Sequence, residues 1–292
     1  MIHLAARLHA FVYGLFKPHP RSIALSAYEE VEDALAQHGL TNEGARAELA
    51  RRLMDEVLRR VEGPHSPEFE ETARHYAEAT LAYEGLFELP KFDWSKSHSI
   101  AEYWQLQDDL KRQRLLTENM RDTIDLVGRG FFHAIAAIRA GMPNLPNERD
   151  TENAVIVPTD YVHAAAHMPQ IVNDVSASCF DPDSIKQGVF DRQRERLEAN
   201  LILASGGNPN NAKDFAKQIK YPAQSDIKVP EKLIATYLGG TPLMALFRQT
   251  INFAIPEQVR FEHHHIVAGS GHGKNSDAAI FDWRRFESCC QG

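Results

Sequence analysis

Cysteine is scarce in this 292-residue chain: Cys179 stands alone, and Cys289 and Cys290 form a vicinal pair near the end. Three cysteines so placed make no disulfide framework and fit a reducing compartment, the cytoplasm. Long apolar runs are missing as well. No segment reaches the roughly 18 apolar residues that a membrane-spanning helix needs. Positive charge is not in excess, since 40 acidic residues face 32 Lys and Arg for a net charge of −8. That balance argues against a general affinity for nucleic acid, which is driven by cations neutralising phosphates. Internal repeats and low-complexity tracts are absent too. What is there is ordinary globular material, 43% apolar and 25% charged. A chain of this length buries a core without needing a disulfide or a metal.

Two segments test these exclusions. Gln107 to Arg121 holds Lys111, Arg112, Arg114 and Arg121, but Asp108, Asp109 and Glu118 are mixed in, so it reads as a solvated helix surface. Met1 to Phe16 interleaves Leu4, Leu8, Phe11, Val12 and Leu15 with His3, Arg7 and His9. It lacks the unbroken apolar stretch and cleavage site of a signal peptide. An amphipathic helix docked on its own protein is preferred there to one lying on a membrane surface.

Most of the chain carries helical periodicity. A helix is expected over Ser26 to Gln37, and a second from a Thr41 cap to about Val61. Ser66-Pro67 starts a third, with a capping hydroxyl before a proline at the first helical position. Ser99-Ile-Ala-Glu102 is a capping box opening a long helical stretch to Gly141, with Gly128 and Gly130 as its kink or close-packing point. Pro143 to Asn153 reads as a linker, and Ala154 to Val157 is long enough for one short strand but is ambiguous by pattern alone. Helices are expected again over 160–178, 184–204 and 210–219, and a short one follows Thr241-Pro242 to Phe247.

From Arg260 the pattern changes. Arg260 to Val267 is aromatic, β-branched and free of breakers, and it runs into Ala268, Gly269, Ser270, Gly271, His272, Gly273 and Lys274. This is the phosphate-loop form. The three glycines allow a tight turn that aims consecutive N–H groups inward as an anion nest. Lys274 would reach the outer phosphates of a nucleotide. Two positions depart from the motif. Ala268 replaces the first glycine, and Asn275 stands where a Ser or Thr hydroxyl should meet magnesium.

Phe261 to Lys274 resembles the strand and Walker A loop of bacterial P-loop ATPases that move DNA, including the coupling proteins of type IV secretion. Thr241 to Phe247 and Ile255-Pro256 resemble the lead-in to such a core. The resemblance covers roughly 240–274. It implies ATP with Mg²⁺ as cofactor, nucleotide contacts from Ala268 to Asn275, and DNA or DNA-transfer machinery as partner. In that family an acidic Walker B residue and further strands follow well downstream, whereas here only Asn275 to Gly292 remain. Those residues, with Trp283, Arg284, Arg285, Cys289 and Cys290, do not read as the helix that should follow the loop. The expectation is a reading frame lost after Lys274, against the alternative of a genuine short helix over Asp277 to Phe286. No catalytic base or metal ligand is assigned, and little or no hydrolysis is expected. A strand at Arg260 to Val267 would lack its usual partners, which favours self-association through an open edge. Residues beyond about Pro256 are therefore expected to be mobile or aggregation-prone.

Other constellations carry less. His263 and His265 share one strand face but have no further ligand at recognisable spacing. His163 and His167 stand at i, i+4 on an expected helix, but Ala164 occupies the position where a zinc protease needs Glu. Cys179 reads as a small core residue. Glu29, Glu30, Glu32 and Asp33 read as a solvated helix face. The fold is expected to be mainly α with a small α/β C-terminal portion. Its parts are a helical domain over 1–150, a mostly helical region over 151–256, and a strand plus P-loop-like segment with an atypical tail over 257–292. The rival functional reading is a non-enzymatic helical interaction or assembly module whose terminal Gly-rich loop is inert.

Overall fold

A computed structural model describes residues 19–63, 65–142, 155–211 and 218–255. Among these the chain is mainly helical, with one two-stranded sheet. The helices are α1 (Pro20–Gln37), α2 (Glu43–Arg60), α3 (Pro67–Glu84), α4 (Ile100–Glu118) and α5 (Met120–Ala140). After β1 (Val155–Asp160) come α6 (Tyr161–Ala164), α7 (Met168–Ala177), α8 (Pro182–Gln187), α9 (Asp191–Ala204) and α10 (Pro230–Leu238). Short 3-10 helices cover Pro222–Gln224 and Pro242–Phe247, and β2 is Thr250–Ile255.

Local chemistry sets most of the helix starts. Ser66 Oγ accepts the Phe69 N–H at 3.2 Å, and Gly85 ends α3 in the left-handed region at φ 60°. The capping box forms as expected: Ser99 Oγ accepts the Glu102 N–H at 3.3 Å, and Glu102 Oε2 accepts the Ser99 N–H at 2.7 Å. At α2 the cap is Asn42 rather than Thr41. Its Oδ1 accepts the Ala45 N–H at 2.9 Å, a geometry the amide side chain reaches from one residue nearer the helix.

The expected single helix to Gly141 is two helices, and the break is at Asn119, not at the glycines. Asn119 leaves the helical region with φ −112° and ψ 39°. Gly130 meets the other expectation, a close-packing point, because a methyl there would overlap the Phe190 ring. Two further expected helices are also broken, each at a residue with positive φ. His167 (φ 59°) separates α6 from α7, and Phe190 (φ 63°) directly precedes α9.

The chain divides into two units, one of residues 1–144 and 158–251, the other of residues 145–157 and 252–292. Of the second unit only strand residues are described. In the first, α1 packs on α4, α2 on α3 and α5, α5 on α7, and α9 on α10. Helices from both sides of the expected linker share one core, which includes Tyr76, Phe131, Phe190 and Tyr161. The linker itself, Pro143 to Asn153, lies outside the described residues. β1 pairs with β2, and the Tyr161 N–H donates to the Gln249 carbonyl at 2.9 Å. That bond joins the end of β1 to the start of β2, so the strands run antiparallel.

Candidate functional site

The phosphate-loop residues, Ala268 to Asn275, lie outside the described residues, as do Arg260 to Val267, His263 to His265 and the tail after Asn275. The described part of the chain places several other candidates.

His163 and His167 do not share a helical face. The helix ends at Ala164, His167 takes the left-handed conformation, and His163 Nε2 lies 3.2 Å from Glu231 Oε1. Among the described residues no group of three or more His, Cys, Asp or Glu is arranged to hold a metal ion. Cys179 is buried, and loss of water pushes its thiol up to about 12, so it is protonated and inert. Glu29, Glu30, Glu32 and Asp33 are exposed.

The densest polar cluster is one that sequence spacing did not bring together. Glu84, the last residue of α3, is completely buried. A carboxylate at a helix C-terminus opposes the local dipole, so it needs a partner elsewhere. Its partner is the start of α9, where Phe190 provides no side-chain cap. Glu84 accepts the N–H of Gln193 at 2.8 Å and that of Arg192 at 3.1 Å. Arg112 of α4 reaches the same place, with its Nη2 3.5 Å from the Glu84 carboxylate and its Nη1 donating to the Glu84 carbonyl at 2.8 Å. Of the cations read as a solvated surface, Arg112 is thus turned inward, because Glu84 offers a buried counter-charge. Gln113 adds a bond from Nε2 to the Gly85 carbonyl at 2.7 Å.

Burial raises the Glu84 carboxyl above its ordinary range, against the two N–H donors and Arg112, which act to lower it. Glu84 is buried, Arg112 is half-buried, and the Glu84 carboxylate is taken up by its two N–H donors and Arg112. Such an arrangement locks α3, α4 and α9 together. It is a structural brace.

Two open depressions on the surface differ in character. A polar groove of about 610 Å³ lies between α2, α5 and α8, lined by Glu56, Arg60, Asp122, Asp125, Arg129 and Lys186 among others. Its charges are of both signs, and Arg129 is already paired with Asp183 at 3.4 Å. An apolar hollow of about 440 Å³ is lined by Phe180, Leu197, Leu201, Tyr221 and Tyr237. Neither gathers a nucleophile with a base. No family model, curated protein or solved structure matches the chain. No helix among the described residues is long and apolar enough to cross a membrane.

Proposed function

We propose that this chain binds a nucleotide, ATP with Mg²⁺, through Ala268 to Asn275, with little or no hydrolysis. The observation that carries the reading is the sequence Ala268-Gly-Ser-Gly-His-Gly-Lys274 directly after an aromatic and β-branched run. Three glycines and a lysine at that spacing supply both the backbone nest and the cation that a polyphosphate needs. Asn275 is a poorer magnesium partner than a hydroxyl, so binding is weak. The resemblance to DNA-moving ATPases supports a relation to DNA translocation or conjugative transfer, with the helical body as the portion that precedes the motor core.

Calorimetry with Mg-ATP tests this. The wild-type chain binds, and Lys274→Ala weakens binding by about ten- to a hundredfold, the worth of one charge-assisted contact. Equal binding by the two proteins, or none by either, removes the loop from the account and leaves the helical interaction module as the reading.

A further inference from the structure

α4 buries one face and leaves a continuous stripe in water. Tyr103, Leu106, Leu110, Gln113 and Leu116 point into the core. Ile100, Trp104, Asp108, Lys111 and Leu115 recur at intervals of three or four residues, so they lie in one row along the opposite side. The row is about 22 Å long at the helical rise per residue. Three of its members are large and apolar, and they are 59% (Ile100), 48% (Trp104) and 40% (Leu115) exposed. Scattered exposed apolar residues are normal, but three in a single row with charges only at its centre form a patterned surface.

Reversed, the row sets apolar against apolar at its ends and Trp against Lys inside them, with Asp near the middle. A helix with that property is complementary to an antiparallel copy of itself. With two such rows in register, Ile100 of each meets Leu115 of the other, and Trp104 of each meets Lys111 of the other. Lys111 over the indole face is a cation–π contact. Asp108 lies near the two-fold axis between the Lys111 ammonium groups of both copies. In the single chain Lys111 Nζ sits 2.8 Å from Asp108 Oδ1, and both side chains are largely exposed. That pair holds little energy of its own and is free to be shared.

We infer that α4 is a self-association surface, on which two copies of this chain pair antiparallel across Ile100, Trp104, Asp108, Lys111 and Leu115. The apolar area in the row amounts to a few hundred Å² per copy, below the standard size of a stable interface, so the dimer is weak and forms at micromolar or higher concentration. The inference is independent of nucleotide binding.

Sedimentation velocity of the full chain over a concentration series tests it. The wild type shifts from monomer to dimer, and Trp104→Glu weakens the dimer at least about tenfold. Two single charge reversals give the decisive arm. Asp108→Lys makes the centre of the row wholly basic, and Lys111→Asp makes it wholly acidic, so each variant alone stays monomeric. Mixed together they form a heterodimer, because a basic row then faces an acidic one. A wild type that stays monomeric throughout overturns the proposal. So does a dimer that all three variants leave unchanged, since another surface then makes it. Monomeric single reversals whose mixture also stays monomeric overturn it too, and assign the row to a segment of the same chain or to a different protein.

Discussion

Glu84 closes α3 and opens α9: its carboxylate, at the C-terminal residue of one helix, accepts the Gln193 N–H in the first turn of another at 2.8 Å. One side chain thus removes an acid from the wrong end of a dipole and satisfies donors that Phe190 leaves uncapped. Removing it strands both the backbone donors and the half-buried Arg112. Glu84→Ala is expected to cost about 3–5 kcal/mol, the range for breaking a buried ion pair. Glu84→Gln keeps one acceptor and turns an amide donor toward the other N–H, so it costs about 1–3 kcal/mol. Chemical denaturation of both variants measures the order. The pH dependence has a definite sign. The folded carboxyl titrates above its unfolded value, so its stabilisation is full below the ordinary carboxylate range and lost as pH rises through the raised value. The deficit of Glu84→Gln against wild type should therefore shrink from acid to neutral pH, and a deficit that grows would contradict the assignment.

Gly128 and Gly130 look alike in the sequence and differ in the fold. Nothing lies within 4 Å of where a Gly128 side chain would sit, whereas a methyl on Gly130 would overlap the Phe190 ring. Both lie inside α5, where glycine is a poor helix former. Gly128→Ala should be neutral or stabilising by up to about 1 kcal/mol. Gly130→Ala should destabilise by about 1–3 kcal/mol through overpacking. Melting curves showing the same shift for both would mean that Phe190 does not sit against α5.

The part of the fold written in the sequence is the part decided by neighbours along the chain. Ser66 before Pro67, and Ser99 with Glu102, are caps complete within four residues, and both form. The helix breaks at His167 and Phe190 could not be read the same way, because neither residue favours positive φ by itself. They hold it because the core on either side fixes the directions of the flanking helices. Glu84 with Gln193 spans 109 positions, and no spacing rule covers that distance. The misplaced acid at the end of α3 was the one available signal. β2 carries alternating Ile251, Phe253 and Ile255, but six residues with a partner far back in the chain give a faint pattern beside the long helices. α10 begins after Val229, which has no capping oxygen, so its start is signalled only by Pro230 at the first helical position and Glu231 in the first turn. The phosphate-loop candidate rests on sequence spacing alone.

His98 and Glu102 titrate against each other at the start of α4. The Ser99 N–H and hydroxyl, and then His98, hold the Glu102 carboxyl down to about 2. Donation to the Asp93 carbonyl at 2.8 Å, with Glu102 adding its charge, raises His98 above its ordinary value. The stabilisation from Glu102 is present above the ordinary carboxylate range and lost as pH falls through its depressed value. That from His98 is present below about 6.5 and lost as pH rises through its raised value. Both act together between about pH 4.5 and 6.5. Glu102→Gln should lower the His98 midpoint in an NMR titration. A midpoint that stays in place would show that Glu102 does not face the imidazole in solution.

The nucleotide reading rests on residues beyond the helical body. Among the described residues the core runs from Ala24 to Ile251, and its largest buried side chains, Tyr76, Tyr161, Phe87 and Phe131, all belong to the helical unit. The two strands pair with each other, and Tyr161, which follows β1, is anchored by its hydroxyl to the Ile138 carbonyl at 2.8 Å. Burial raises that phenol's pKa, so the hydroxyl stays a donor across the physiological range. All of these contacts are made among residues 24–255. Deleting residues 257–292 keeps β2 and every core side chain named above. It should therefore leave the melting temperature nearly unchanged while abolishing any Mg-ATP binding. For a folding unit of more than 200 residues, a loss of 1 kcal/mol lowers the midpoint by about 2–4 °C, which scanning calorimetry resolves. A fall of more than about 10 °C, several kcal/mol on that scale, would show that residues 257–292 contribute directly to the same cooperative core. Retained ATP binding in the shortened chain would instead move the nucleotide site into the helical body. The two readouts fail separately, so one protein tests both the independence of the helical body and the place of the phosphate loop.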